Sequence, residues 1–174
     1  MKHIPFPRSN DYAMYYDQYL EKIDRNIPLL KQLKDTAKEV VAMYKSWDKD
    51  QLLYRYAAGK WSRKDVLQHL VDVESVFSYR AMRFSRGDQT PLSFFDENEY
   101  ARSAQADKKS LPKLVREYMT TRNATIAFFD GLSKHNMHLK GVASQFPMSV
   151  SACGWIILAH ERHHIRVLQE RYGL

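Results

Sequence analysis

Three of the chain's seven histidines lie within five positions of the stretch AHERHHIRVLQERYGL, residues 159–174. Imidazole carries protons and ligates transition metals near neutral pH. At about 100° per residue, a helix here puts His160 and His164 on one face, a turn apart, with Cys153, Ile156, Ile157, Val167 and Leu168. His163 points toward the edge of that face. Two imidazoles at this spacing can reach one ion, as in helical HExxH motifs, although the pattern here is HERHH. A single histidine on an apolar stripe is ordinarily a hydrogen-bonded core residue. Two in mid-stripe both lose hydration, and one metal ion satisfies both.

An open catalytic metal site usually has three protein ligands. His69 is the third candidate, on a second helical stripe with Val66, Val73, Val76 and Phe77. A triad of His69, His160 and His164 would hold one divalent ion and leave a position for water or substrate. With no thiolate in the set, Zn, Ni, Fe and Mn all suit it. Cys153 lies seven residues, about 10 Å, along the helix from His160, which makes it a small core residue and not a ligand. His3, His135 and His138 fall in irregular or terminal segments and are expected to face solvent.

The elements that must position these residues read as helices. A short helix is expected from about Asp11 to Arg25, and a second from Pro28, a good first-turn residue, to about Trp47. Residues 54–62 form a connector broken at Gly59. Ser62 then caps a helix, with Asp65 three residues on, and Gly87 suits the position after its end near Ser85. Residues 88–107 read as a loop with at most a short helical turn. A helix from Ser110 to Asp130, an irregular stretch over 131–148, and a helix from the cap Ser149 to Gly173 complete the chain. Four long helices imply an all-α fold, an antiparallel four-helix bundle with an added short N-terminal helix and a long crossover loop.

The chain of 174 residues suits one domain, residues 1–174, and its 44% hydrophobic content implies a packed core. No stretch has the apolar length of a membrane span. The N-terminal MKHIPFPRSNDY lacks the apolar core of a secretory signal, and the single cysteine suits a reducing compartment, so a cytoplasmic location is expected. The +7 charge is spread along the chain with acidic neighbours, a solvated basic surface and not a nucleic-acid face. Trp155 and Leu158 point away from the histidine stripe, beside Arg162, Arg166 and Gln169. They suggest a homodimer contact, unless the first short helix covers them.

The blocks YAAGKWSRKDVLQHLVDVE and RAMRFSRGDQTPLSFFDENEY, followed by AHERHH, resemble the DinB-like superfamily in order and spacing over residues 11–172. The resemblance implies a four-helix bundle with one divalent ion on three histidines, one from the second bundle helix and two from the last. Residue by residue these are His69, His160 and His164. It also implies a small-molecule substrate and either of two activities: transfer of a low-molecular-weight thiol such as bacillithiol, mycothiol or glutathione, or metal-dependent hydrolysis. The physics shared by both is an ion that lowers the pKa of an exogenous nucleophile. A non-catalytic structural or sensor protein, its ligand field closed by a fourth residue, is the contrasting class.

Several further residues have two readings each. Asp65 and Asp72, at i−4 and i+3 from His69, either accept its free ring N–H or are helix-surface carboxylates. Glu161 follows His160 but points about 100° away, which weakens a general-base role. Arg80 and Arg122 lie on apolar faces and need anionic partners: Glu74 or Glu97 within the chain, or a substrate carboxylate. Phe94, Phe95 and Tyr100 are packing anchors or a lid.

Overall fold

The computed structural model describes residues 2–173. Its elements are α1 (Asp17–Leu20), α2 (Leu29–Ser46), α3 (Lys49–Leu53), α4 (Arg63–Ser85), α5 (Glu97–Ala104), α6 (Leu111–Gly131), α7 (Lys134–Met137), β1 (Lys140–Ala143), β2 (Phe146–Ser149) and α8 (Val150–Arg171). The four long helices α2, α4, α6 and α8 make the expected bundle. Its core-facing residues divide into two apolar clusters, one in each half.

Local chemistry fixes the helix ends. Ser62 accepts from the Asp65 backbone N–H while the Asp65 carboxylate accepts from that of Ser62, so two orphan donors at the start of α4 are satisfied. Gly87, at φ +77°, ends the same helix: its N–H donates to the Phe84 carbonyl and that of Asp88 to the Arg83 carbonyl. Ser149 caps α8 by accepting from Ala152.

Helix directions follow from which residues meet. Lys109 reaches Gln68, Arg122 reaches Glu74, and Ser78 reaches Thr125, so α4 and α6 run parallel. His69 meets His160 and Arg63 meets Tyr172, so α4 and α8 run antiparallel. Residues 88–110 therefore return along the bundle before α6 begins. This is the long crossover expected from the sequence, and it contains α5 and a 3-10 turn at Ala106–Lys108. The return is anchored by Asp107, which accepts from Arg55 and Ser62 beside the start of α4.

Two regions depart from the sequence expectation. The helix expected over Asp11–Arg25 is only the four-residue α1, preceded by 3-10 turns at Ser9–Asp11 and Met14–Tyr16. Four residues are little more than one turn, and this one is held by packing, with Leu20 and Ile23 in the core. The irregular stretch over 131–148 contains the hairpin β1–β2, paired from Lys140↔Ser149 to Ala143↔Phe146. Ser144 and Gln145 take φ +53° and +72° in its two-residue turn, the positive values a type I′ turn requires. The hairpin seats directly on α4. A Cβ on Gly141 would lie 2.1 Å from the Phe84 ring, so only glycine fits that approach.

Trp155 and Leu158 are buried, at 2% and 0% exposure. The Phe6 ring packs on Trp155, and the Trp155 indole N–H donates to the Pro5 carbonyl. The apolar face that suggested a homodimer is thus covered within the chain. Pro5 and Phe6 lie before the short helix, and α1 itself also packs on α8, with Leu20 in the same core cluster as Trp155 and Leu158.

Candidate metal centre

The stripes on α4 and α8 meet at the seam between these antiparallel neighbours. His69 Nε2 lies 3.0 Å from His160 Nε2, and His164 Nε2 lies 3.1 Å from His160 Nε2. One ring nitrogen from each of the three lies within 4.8 Å of the other two. Among the described residues no Cys, Asp or Glu joins the group. His163 stays outside it, against the Tyr19 ring at 4.9 Å.

Burial holds all three imidazoles neutral. It depresses His69 to about 4, with His163 adding repulsion, and it takes His160 and His164 well below the ordinary range, helped by their neighbouring histidines. Three neutral rings that converge through Nε2 crowd lone pairs that ring protons alone satisfy poorly, and a cation accepts all three. Metal–nitrogen bonds of about 2.0–2.1 Å imply nitrogen separations near 3.0–3.4 Å, which the two separations at His160 match, while the His69 and His164 nitrogens lie within 4.8 Å of one another. His164 Nδ1 is buried without a hydrogen-bond partner, so the usual outer acceptor on a ligating imidazole is missing there.

The outer residues expected from the sequence go elsewhere. Asp65 caps α4 and pairs with Arg55, and Asp72 accepts from Gln68. Neither touches His69, because helix capping and an i−4 amide claim the two carboxylates. Arg122 does not reach a substrate site: it is 1% exposed and held by Glu74 and Glu161, with further bonds to the Leu33 carbonyl and Thr36. Glu161 is consumed in that network, where it also accepts from the Tyr118 hydroxyl, and is no general base. Cys153 is fully buried and its thiol is pushed up to about 12, so it is no nucleophile. Of the loop aromatics, Phe95 packs on the core, whereas Phe94 and Tyr100 are 76% and 44% exposed.

The histidines open onto a cavity of about 310 Å³ that also holds Arg80, Phe77, Tyr16, Tyr19 and Trp61. Burial raises the Tyr16 phenol, and the charge of Arg80 works against that rise. Trp61 lies 4.5 Å from His69 and nearly parallel to His164 at 6.4 Å, a wall for the site. The sequence offered a signal for Trp61, its place just before the Ser62 cap, but none for Tyr16 and Tyr19, which reach the site only through packing.

The sequence signature of the DinB superfamily matches residues 32–168. The chain belongs to this family. No curated protein matches the sequence significantly. The fold is similar to that of YfiT from Bacillus subtilis, described as a probable metal-dependent hydrolase with an unusual four-helix bundle topology. The TM-score is 0.70 at 16% identity, over 95% of this chain and 90% of that one. It is also similar to a mycothiol-dependent maleylpyruvate isomerase, with TM-score 0.68 at 14% identity, over 83% of this chain and 62% of that one. As a DinB protein the chain shares their bundle.

Proposed function

We propose that this DinB protein is a divalent-metal-dependent enzyme that activates an exogenous nucleophile, a low-molecular-weight thiol or water, toward a small-molecule substrate. The observation that carries this is the convergence of His69, His160 and His164 on one point at the wall of an aromatic cavity, with no fourth ligand among the described residues. An ion on three histidines supplies Lewis acidity and lowers the pKa of whatever occupies its open position. The chain's own residues bind and orient. Trp61, Tyr19 and Phe77 offer flat apolar walls that exclude water from the reacting groups. Cys153 is shut in the core, so the nucleophile comes from outside. The thiol-dependent isomerase supports the thiol arm, and the description of YfiT supports the water arm. A structural or sensor site would close its ligand field, and among the described residues none does so.

The test is a panel on metal-loaded protein: bacillithiol, glutathione, cysteine or coenzyme A with a bimane electrophile, beside generic esters and amides. Turnover that requires thiol and vanishes in His164→Ala supports transfer. Thiol-independent hydrolysis lost in the same variant supports hydrolysis. No turnover with any of the four candidate metals, while chelation still lowers the melting temperature, overturns the enzyme in favour of a structural site.

A further inference from the structure

Arg80 is 2% exposed and lines the same cavity as the three histidines. A buried guanidinium needs a counter-charge, and the chain's other deeply buried arginines show what that looks like. Arg122 has two carboxylates. Arg63 donates to the carbonyls of Gln51 and Tyr172 at the C-terminal ends of α3 and α8, where helix dipoles concentrate negative charge. Arg80 has neither. Its Nη2 donates to the Ser93 carbonyl and the Ser144 hydroxyl, each at 3.0 Å, and it sits over the Phe77 and Phe95 rings. Among the described residues no carboxylate pairs with it.

The group is built from three separate segments. Ser144 holds its hydroxyl on Arg80 from a turn position at φ +53°, which is costly for a residue other than Gly, Asn or Asp. The crossover strand is bound to that turn by the Leu92 N–H on the Val142 carbonyl and the Ser144 N–H on the Leu92 carbonyl, which sets the Ser93 carbonyl in place. Along α4, His69, Val73, Phe77 and Arg80 all line the cavity. Eleven residues separate the ends of this stripe, about 16 Å at the backbone, and the arginine side chain leans back toward the helix start, which shortens the gap.

We propose that Arg80 forms a carboxylate subsite, and that the substrate is a small carboxylic acid with a flat apolar body reaching from Arg80 across Phe77 to the three-histidine centre. The subsite stands on Arg80 alone; its link to turnover rests on the metal-dependent function proposed above. A bidentate pair with Arg80 completes the guanidinium, and the aromatic walls take the body. Glu97, exposed at the cavity rim, is the internal competitor for that charge.

Calorimetric titration of the full chain, metal-loaded and again after chelation, with cinnamate and its uncharged amide tests this. Cinnamate is expected to bind about ten- to a hundredfold more tightly than cinnamamide in both states. Arg80→Gln abolishes that preference, and His164→Ala retains it. Ser144→Asp, at a turn position that tolerates aspartate, places an internal carboxylate against Arg80 and abolishes it too, without altering α4. Equal binding of acid and amide overturns the subsite. So does a preference for the acid that survives Arg80→Gln and Ser144→Asp, or one lost only in His164→Ala. Since the chelated protein is titrated separately, failure of the metal centre leaves this outcome readable.

Discussion

Each of the three imidazoles presents Nε2 to the others, and each comes from a helix whose apolar stripe would otherwise be continuous. Removing any one should therefore cost the ion, whereas His163, a residue away on the edge, should not matter. Purified protein is expected to carry about one divalent ion per chain by elemental analysis, and His69→Ala, His160→Ala and His164→Ala to carry almost none. His163→Ala should keep full occupancy, and full occupancy in His160→Ala would dismiss the triad. These histidines were legible because helical spacing is a local rule: i, i+4 on α8 and a lone stripe histidine on α4 already mark a shared face. Asp65 and Asp72 were less legible for a physical reason. Spacing places a carboxylate near a ring but says nothing of rival donors, and the Ser62 N–H, Arg55 and the Gln68 amide won.

Among the elements, α4, α6 and α8 are locked at mid-length by Arg122, Glu74 and Glu161, between the two apolar clusters. Burial alone would lower the pKa of Arg122, but Glu161 and Glu74 outweigh it and hold the guanidinium firmly charged. Arg122→Met leaves two buried carboxylates without their cation, so it should destabilise the fold by about 3–5 kcal/mol in urea titration. Replacing Glu74 and Glu161 by glutamine in that background should recover much of the loss, since the stranded charges are then gone. A cost under about 1 kcal/mol for Arg122→Met would show that the triad is not the lock. The sequence pointed to Glu74 as a partner for one of the buried arginines, but Glu161 was judged only by its neighbour His160. The caps at Ser62, Asp65 and Gly87 were read correctly from sequence because they act within a few residues, whereas Ser110 takes the N-cap position of α6 without a side-chain cap bond. The hairpin was not: its turn is Ser144-Gln145 and not Asn-Gly, and Pro147 sits in β2. Tertiary contact with Phe84 and Leu92 stabilises it instead of turn chemistry.

At the scale of the whole molecule, periodicity gave four helices, but the expectation that all neighbours run antiparallel fails for α4 and α6, because an apolar stripe looks the same in either sense. Direction here is set by the return of residues 88–110 along the bundle, and it makes α4 and α8 antiparallel neighbours. The N-terminal segment around Phe6 covers Trp155, a contact 150 residues distant in sequence that no local pattern could reveal. The candidate metal ligands likewise come from two helices, His69 on α4 and His160 on α8, 91 residues apart in sequence. The unfolded chain keeps only the local His160–His164 pair, so the ion should bind the native state far more tightly and add its binding free energy to folding. Melting temperature is expected to keep rising with free metal after the site is full, corresponding to about 2.7 kcal/mol at a hundred times Kd. The His69→Ala chain, left with the local pair, should show a flat or nearly flat profile. A melting temperature indifferent to metal, in protein that demonstrably holds one ion per chain, would mean that the unfolded chain grips the ion equally well, and would remove any role for α4 in binding it.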